Sequence, residues 1–308
     1  MTASIAVDVA NLIKCYGKLR AVDGVSFEVA RGETLSLLGP NGSGKTSIMR
    51  AVTGTARIDG GCIRVLGRDV TSHPREAKAL MGVVHQEDTL DPDLSVIENL
   101  LVHAAYFGMS ARSAKSRAWE TLERFRLADR AQQTVLELSG GMRRRLMLAR
   151  AFGNAAVLVL DEPTTGLDPE AKLSFWADLR GLLVEGVAIL LTTHDMEEAE
   201  RLSDRVVILD GGRVVKQGTP VELIRDHLAE RICEIRVPVA RLAETDSLAA
   251  DLEKSVGANR LTGLKKRGGF ITFGSDDETG VFAWANARLV PMTMRRANLG
   301  DVYLALTG

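Results

Sequence analysis

A glycine-rich run at residues 39–46 has the composition and spacing of a phosphate-binding loop. Gly39 and Gly44 are separated by four residues, and Lys45 and Thr46 follow at once. Such glycines let successive backbone N–H groups turn toward a triphosphate, while the lysine reaches the β and γ phosphates and the threonine hydroxyl ligates Mg²⁺. The alternative is an ordinary glycine-rich turn. The run predicts an ATP site formed by Gly39, Pro40, Asn41, Gly42, Ser43, Gly44, Lys45 and Thr46.

Two acidic residues, Asp161 and Glu162, follow the apolar run at residues 157–160. Continuous apolar runs of this length are typical of buried parallel strands. A strand that ends in two acids can direct Asp161 toward the Mg²⁺ shell and Glu162 toward the water that attacks the γ phosphate. Strands often end in aspartate, so the pair becomes specific because a phosphate-binding loop precedes it.

Residues 138–142 predict a second anion site. They place the Ser139 hydroxyl and the N–H groups of Gly140 and Gly141 just ahead of an apolar helical stripe that begins at Met142. A helix N-terminus of this kind binds anions. Because residues 39–46 already hold the phosphates of one molecule, the second site suggests that another copy of the chain completes the pocket.

Gln86 and His194 each follow a predicted strand, at residues 82–85 and 188–193. Ligands of open α/β sheets bind at the carboxyl ends of the strands, where both side chains should lie. We expect Gln86 to contact Mg²⁺ and water. A histidine considered alone is structural about as often as functional, and that alternative stays open for His194.

The elements that position these residues alternate along the chain. Val25, Phe27 and Val29 alternate with polar residues and predict a small antiparallel region. Strands predicted at residues 34–38, 157–160, 188–191 and 206–209 are separated by helices at 45–52, 169–184 and 197–202. This order predicts an α/β fold with a mainly parallel sheet.

A helical insertion at about residues 95–154 interrupts the pattern. Ser95 and Glu98 form a capping-box signal, and Ile97, Leu100 and Leu101 recur at helical spacing.

The sequence after residue 232 predicts a small α+β appendage. Strands are expected at residues 232–239 and 270–273, with a helix at 248–256 between them. Lys265, Lys266 and Arg267 predict a solvated hairpin tip, with a basic binding site as the lesser alternative.

Composition excludes several classes of protein. The 308 residues are 45% hydrophobic and carry 39 Lys+Arg against 40 Asp+Glu, a net charge of −1. We therefore expect no nucleic-acid partner. Cys15, Cys62 and Cys233 fit neither a disulfide framework nor a zinc site, which favours a reducing cytoplasm. We find no secretory-signal pattern and no run near the roughly 18 apolar residues of a spanning helix, so a membrane role would require another chain.

The ordered motifs resemble those of the ATP-binding cassette family over about residues 6–220. They are residues 39–46, Gln86, residues 138–142, residues 158–162, the run Gly166, Leu167 and Asp168, and His194. The resemblance implies an α/β P-loop NTPase with an antiparallel β subdomain and a helical subdomain at about residues 87–155. Its nucleotide-binding domain would span residues 6–228, and residues 229–308 would form a C-terminal accessory α+β domain.

Further roles are implied by this resemblance alone. Tyr16 matches the aromatic residue that stacks on adenine. Ser139 and Gly141 would contact the γ phosphate of the opposite protomer in a head-to-tail homodimer, and Asp168 would bridge the two sites.

The resemblance also implies the chemistry. Glu162 would be the general base, and His194 would hold the γ phosphate and the attacking water, with Gln86 beside them. Hydrolysis of ATP, with Mg²⁺ bound by Thr46, Gln86 and Asp161, would drive a separate integral membrane permease. The chain would lie at the cytoplasmic face of the inner membrane as a peripheral subunit.

Finer similarity points to the exporter branch that contains nodulation-factor and daunorubicin-resistance ATPases. It is carried by residues 86–91, 142–146, 191–202 and the tail 298–308, and the tail is most similar to the nodulation-factor exporters. Met142 replaces the glutamine of the commonest signature, and Gly300 stands where an acid is usual. The branch implies a lipo-oligosaccharide or a hydrophobic drug as cargo.

The alternative from another class is a soluble ATPase of translation or DNA repair that uses the cassette without a permease. Such translation factors carry two cassettes, and such repair ATPases contain long coiled coils. This chain has one cassette and no sustained heptad run. Import instead of export is a nearer alternative, which a periplasmic binding protein encoded alongside would favour.

Overall fold

The computed structural model of the chain describes residues 4–153, 155–228, 231–275 and 277–307, and its strands form three sheets. The chain divides into one unit that ends at Gln217 and a second that begins at Gly218. No helix within the described ranges is both long and apolar enough to span a membrane.

The first unit contains seven α-helices in its described residues, and its last strand, β10, reaches the boundary between the units. The strands are β1 Ile5–Tyr16, β2 Leu19–Ala30, β3 Thr34–Leu38, β4 Gly60–Val65, β5 Arg68–Asp69, β6 Met81–Val84, β7 Val157–Asp161, β8 Ala188–Thr193, β9 Arg205–Asp210 and β10 Arg213–Gly218. The helices are α1 Lys45–Val52, α2 Pro74–Ala79, α3 Val96–Tyr106, α4 Ala111–Arg124, α5 Gly140–Phe152, α6 Pro169–Val184 and α7 Met196–Leu202.

The central sheet has the strand order β10-β9-β3-β8-β7-β6. Parallel pairing joins β9, β3, β8, β7 and β6, as the alternation of strands and helices predicts. The register aligns the last residues of neighbouring strands: Leu38 pairs with Thr193, Asp161 with Thr192, and Val84 with Leu160. The segments that leave β3, β8, β7 and β6 therefore begin at one edge of the sheet.

Both faces of the central sheet are buried. Leu158 and Leu160 of β7 pack into one cluster with residues of α3, α4, α5 and α6. Val157 and Val159 face the other cluster, where α1 and the antiparallel sheet β2-β1-β4-β5 lie. This two-sided burial explains why the strands are continuous apolar runs.

The helical insertion is built from α3, α4 and α5. The predicted capping box is present, because Ser95 Oγ accepts from Glu98 N and the Glu98 carboxylate accepts from Ser95 N at 2.8 Å. Asn154, the last residue of the predicted insertion, lies outside the described residues.

The second unit is a four-stranded sheet with helices, as expected for an α+β appendage. Its elements are α8 Pro220–His227, β11 Arg231–Arg236, α9 Thr245–Leu252, β12 Leu261–Arg267, β13 Phe270–Ser275, α10 Glu278–Ala287, β14 Met292–Arg296 and α11 Leu299–Thr307. The strand order is β12-β13-β11-β14. Ile235 and Phe273 of this sheet share a core with Leu252 of α9 and Val281 of α10.

Several predicted boundaries in the second unit differ from the structure. Lys265, Lys266 and Arg267 lie on β12 and not at a hairpin tip, because the next two residues, both glycines, form the turn. Strand β11 ends at Arg236, shortly before Pro238, which has no N–H to donate. The helix predicted at residues 248–256 begins at Thr245 and continues past Leu252 as a π-helical segment, Glu253–Gly257.

The division between the units also differs from the predicted one. The sequence places the boundary between residues 228 and 229, and residues 229 and 230 lie outside the described part of the chain. The units divide between Gln217 and Gly218. The reason is that α8, which the sequence assigns to the first domain, packs against α11.

Contact between β6 and α5 requires a glycine at position 82. A Cβ there would lie 1.9 Å from Ala151 O and 2.8 Å from Leu158 Cδ2. We expect Gly82→Ala to lower the free energy of unfolding by about 1–3 kcal/mol, the usual cost of overpacking, and to shift the denaturant midpoint accordingly. Gly181→Ala is the matched control, because Gly181 lies on α6 and a Cβ there would meet open space. This substitution should raise the free energy of unfolding by up to about 1 kcal/mol, since alanine favours the helix more than glycine does. Equal midpoints for the two variants would contradict this packing.

Candidate functional site

The predicted phosphate loop, residues 39–46, connects the buried strand β3 to the first turn of α1. Gly44 adopts a φ of 102°, and a Cβ there would lie 2.6 Å from Ala21 O, so only glycine fits this turn. Because α1 begins at Lys45, its free N–H groups and the positive end of its dipole face the loop.

Lys45 points back over the loop. Its Nζ donates to Gly39 O at 2.7 Å and to Pro40 O at 3.1 Å, and the residue is only 5% exposed. Burial lowers the pKa of Lys45, and the negative charges of Glu162 and Asp161 oppose this shift. The ammonium group therefore lies within the field of both acids at the end of β7.

Ser43 supports the interpretation of the loop as an anion cradle. Within the described residues, Ser43 Oγ is the buried side-chain polar atom without a hydrogen-bond partner. A buried hydroxyl without a partner costs free energy, and such groups in native proteins call for an explanation. A phosphate oxygen could accept a hydrogen bond from this hydroxyl, so the loop fits a nucleotide.

Three side chains converge on one oxygen of Glu162. Its Oε2 lies 3.3 Å from Gln86 Nε2, 3.2 Å from His194 Nδ1 and 3.3 Å from Thr165 Oγ1. The Glu162 side chain is 13% exposed, whereas that of His194 is 55% exposed. The predicted base, Gln86 and His194 therefore form one cluster.

The backbone of Glu162 is strained. Its φ of 46° lies in the left-handed region, which a side chain with a Cβ adopts at a cost of about 1–2 kcal/mol. Its N–H donates to Thr192 O and Thr192 Oγ1, both at 3.1 Å, and its carbonyl accepts from Arg144 at 2.8 Å. Such strain persists only where the surroundings determine the conformation.

The predicted Mg²⁺ ligands border one cavity. Thr46, Gln86 and Asp161 all line it, and Thr192 Oγ1 donates to Asp161 Oδ1 at 2.5 Å. The described ranges contain no group of three or more His, Cys, Asp or Glu residues placed to hold a metal. This donor set would use one carboxylate, one amide and one hydroxyl, which are oxygen ligands that suit Mg²⁺ when substrate phosphates complete the shell.

A neighbouring cavity contains most of the predicted nucleotide contacts. Tyr16, at the end of β1, is 45% exposed and lines it. The same cavity is lined by Asn41, Gly42, Gly44, Lys45, Thr46, Gln86, Glu162, Thr165 and His194. The structure thus brings Tyr16 to the phosphate loop from a separate sheet.

The predicted signature segment, residues 138–142, does not line that cavity. Ser139 caps α5 and accepts from Met142 N at 3.3 Å, and Asp168 caps α6 and accepts from Ala171 N at 2.8 Å. Ser139, Gly141 and Asp168 line a separate concavity, and Gly140 is the first residue of α5. In a single chain, the phosphate loop and the signature segment therefore form two distinct surfaces.

Three residues at the site are not singled out by sequence reasoning. Thr192 holds Asp161 and the Glu162 peptide, and Thr165 contacts the Glu162 carboxylate. Arg144 donates to the carbonyl oxygens of Gln86 and Glu162. Thr192 stands near the end of a predicted strand, which was a usable signal, but nothing in the spacing distinguishes Arg144 from the arginines beside it.

Comparison with known proteins gives consistent matches. The ABC transporter family profile matches residues 22–165. The Nod factor export ATP-binding protein I of Paraburkholderia xenovorans is 44% identical over 305 residues, covering 98% of this chain and 97% of the relative. The protein of the same name from Rhizobium sp. (strain N33) is 49% identical over 234 residues, covering 76% and 77%.

Solved structures are similar over 69–72% of the chain. An ATP-binding subunit of an ABC transporter superposes with a TM-score of 0.65 at 30% identity, covering 72% of this chain and 92% of that one. A dimeric bacterial ABC transporter cassette has a TM-score of 0.62 at 27% identity, covering 69% and 98%. The central sheet with its phosphate loop is thus the α/β fold of ABC ATPases, and the chain belongs to the family of ABC transporter ATP-binding subunits.

Proposed function

We propose that the chain binds and hydrolyses ATP as the nucleotide-binding subunit of an ABC exporter. The observation that carries this proposal is the cluster of Gln86, Glu162 and His194, which shares a cavity with Lys45. A carboxylate, a polar amide and an imidazole beside a phosphate loop are the groups that hydrolysis of a γ phosphate requires.

Nucleotide binding would use the phosphate loop and Tyr16. The backbone N–H groups of residues 39–46 and the ammonium of Lys45 would hold the β and γ phosphates, and Ser43 Oγ would donate to a phosphate oxygen. The exposed ring of Tyr16 would stack on adenine. This assignment is supported by the strand–loop–helix context and by the buried, unpartnered hydroxyl of Ser43.

In the hydrolytic step, Glu162 would accept a proton from the attacking water. Gln86 and His194 contact the same carboxylate oxygen, so the other oxygen is left to orient the water. His194 would also donate to the transferred phosphoryl group, whose charge spreads over its oxygens in the transition state. Thr192 keeps Glu162 in place because its carbonyl oxygen and its Oγ1 both accept from the backbone N–H of Glu162.

Mg²⁺ would be held by Thr46, Gln86 and Asp161. When bound, the cation neutralises charge on the β and γ phosphate oxygens. The hydrogen bond from Thr192 fixes one oxygen of Asp161 and leaves the other for this role.

A head-to-tail homodimer would complete each site. Ser139 and Gly141 lie in a concavity apart from the phosphate loop, and a relative of this fold is a dimeric cassette. In the proposed dimer, the signature segment of one chain contacts the ATP on the loop of its partner, and Asp168 bridges the sites. ATP binding would close the dimer, and hydrolysis would release it.

The transport partner would be an integral membrane permease bound at the cytoplasmic face of the inner membrane. Relatives at 44–49% identity are named Nod factor export ATP-binding protein I. We propose a lipo-oligosaccharide of the Nod factor class as cargo, with hydrophobic drugs as the second class.

Glu162→Gln should keep ATP binding but lower kcat about 10²-fold or more, because an amide does not accept the proton. An ATP-dependent dimer should then accumulate in size-exclusion chromatography. Lys45→Ala should instead lose binding of a fluorescent ATP analogue. Glu123→Gln, an exposed substitution on α4, serves as the control with parental kcat. Parental hydrolysis by Glu162→Gln would show that another group is the base.

Ser139→Arg should inactivate the homodimer, because the arginine blocks the contact with the partner's ATP. Mixing it with Lys45→Ala should restore up to about half of the parental ATPase activity, since one composite site of the mixed dimer keeps both Lys45 and Ser139. A chain with both substitutions is the control and should restore nothing. Absence of rescue at every mixing ratio would contradict the shared site.

Deleting the gene in its host should trap an acylated oligosaccharide inside the cell, measured by mass spectrometry of cells and medium. Wild-type complementation should restore release, and Glu162→Gln should not, because transport requires hydrolysis. An unchanged distribution of acylated oligosaccharides would refute this cargo class without affecting the ATPase assignment.

A further inference from the structure

Arg144 is a buried arginine in the second turn of α5 that contacts two segments of the site. It is 6% exposed. Its Nη1 donates to His85 O at 2.7 Å and to Gln86 O at 3.1 Å, its Nη2 donates to Glu162 O at 2.8 Å, and its Nε donates to Pro163 O. One guanidinium group therefore joins the backbone after β6 to the backbone after β7.

The two flanking arginines make different contacts. Arg143 is partly exposed, and its Nε lies 4.0 Å from Asp88. Arg145 donates to Asp178 at 3.0 Å and to Ser174, which ties α5 to α6. Of these three consecutive arginines, Arg144 donates to the backbone carbonyls of Gln86 and Glu162.

The acceptors of Arg144 explain why an arginine suits the position. A guanidinium has five N–H donors in a fixed plane and no acceptor. Burial lowers the pKa of Arg144, while Asp88, Glu198 and Asp161 oppose that shift, and an arginine stays protonated in proteins. Lysine has three donors on a compact ammonium and does not reproduce the fork.

The bond to Glu162 O acts on the strained peptide. Thr192 fixes the N–H of Glu162, and Arg144 fixes its carbonyl, so the left-handed residue is held from both sides. The same guanidinium also holds the carbonyl of Gln86, whose amide lies 3.3 Å from the Glu162 carboxylate. One guanidinium group thus supports the backbones that carry both side chains.

We propose that Arg144 is a positioning residue that aligns Glu162 with Gln86 for the attack of water on ATP. The proposal rests on the function proposed above, in which Glu162 is the base. Arg144 is not among the residues that line the cavity proposed for the nucleotide, so it would act through the two backbones. Because α5 begins beside Ser139, the helix that faces the partner's ATP also fixes the base of its own site.

Arg144→Lys and Arg144→Gln test this role in the full chain. We expect kcat for ATP to fall about tenfold in Arg144→Lys and about 10²-fold in Arg144→Gln, the scale of a misplacement of about 1 Å. The KM for ATP and the stoichiometry of a bound fluorescent ATP analogue should change less than twofold, since the phosphate loop is untouched. Arg143→Gln is the matched control and should keep the parental kcat.

A double-mutant cycle with Glu162→Gln separates positioning from general support of the fold. Single-turnover hydrolysis of radiolabelled ATP by Glu162→Gln should not fall further when Arg144→Lys is added, because a group that acts through the base has no effect once the base is absent. If Arg144→Gln fails to fold, judged by circular dichroism and its denaturation midpoint, Arg144→Lys carries the comparison.

Two results would overturn the proposal. One is a parental kcat in Arg144→Lys, and the other is the same fold-loss from Arg144→Lys in the presence and absence of Glu162. A parental rate in Glu162→Gln itself would refute the proposed base, and it is measured before the cycle. Failure of this inference is therefore distinguishable from failure of the proposed function.

Discussion

The parallel register of four neighbouring strands is the constraint on which the site depends. Strands β3, β8, β7 and β6 are paired so that Leu38, Thr193, Asp161 and Val84 approach one edge of the sheet together. Each strand is a buried apolar run whose slippage would expose or misplace its whole set of side chains. The packing of the apolar strands therefore fixes where the phosphate loop, Gln86, Glu162 and His194 leave the sheet.

Helix α5 adds a second level of organisation to this edge. The signature segment at its start lines a separate concavity. In its second turn, Arg144 donates to the backbone carbonyls of Gln86 and Glu162. Interior packing is dense and transmits displacement. A shift of α5 would therefore displace both the signature segment and Arg144. In the proposed dimer, these belong to two different composite sites, so one helix would link them within each chain.

Much of the cluster was predictable because each residue stands next to a recognisable strand end. The glycine spacing identified the phosphate loop, and the apolar run before Asp161 identified the acid pair. Arg144 was not predictable, because its partners are backbone carbonyls that leave no trace in the sequence. The unit boundary was also missed, since the packing of α8 on α11 joins residues far apart in the chain. The individual roles of the site residues remain predictions.

The left-handed backbone at Glu162 lowers the stability of the fold at a position that we propose is needed for ATP hydrolysis. Glycine at this position would relieve the torsional cost and remove a largely buried carboxylate, but it would also remove the group that we propose as the base. Substitutions that improve folding are therefore selected against here as long as ATP turnover matters to the host. If ATP turnover no longer mattered, the backbone conformation alone would favour glycine at this position.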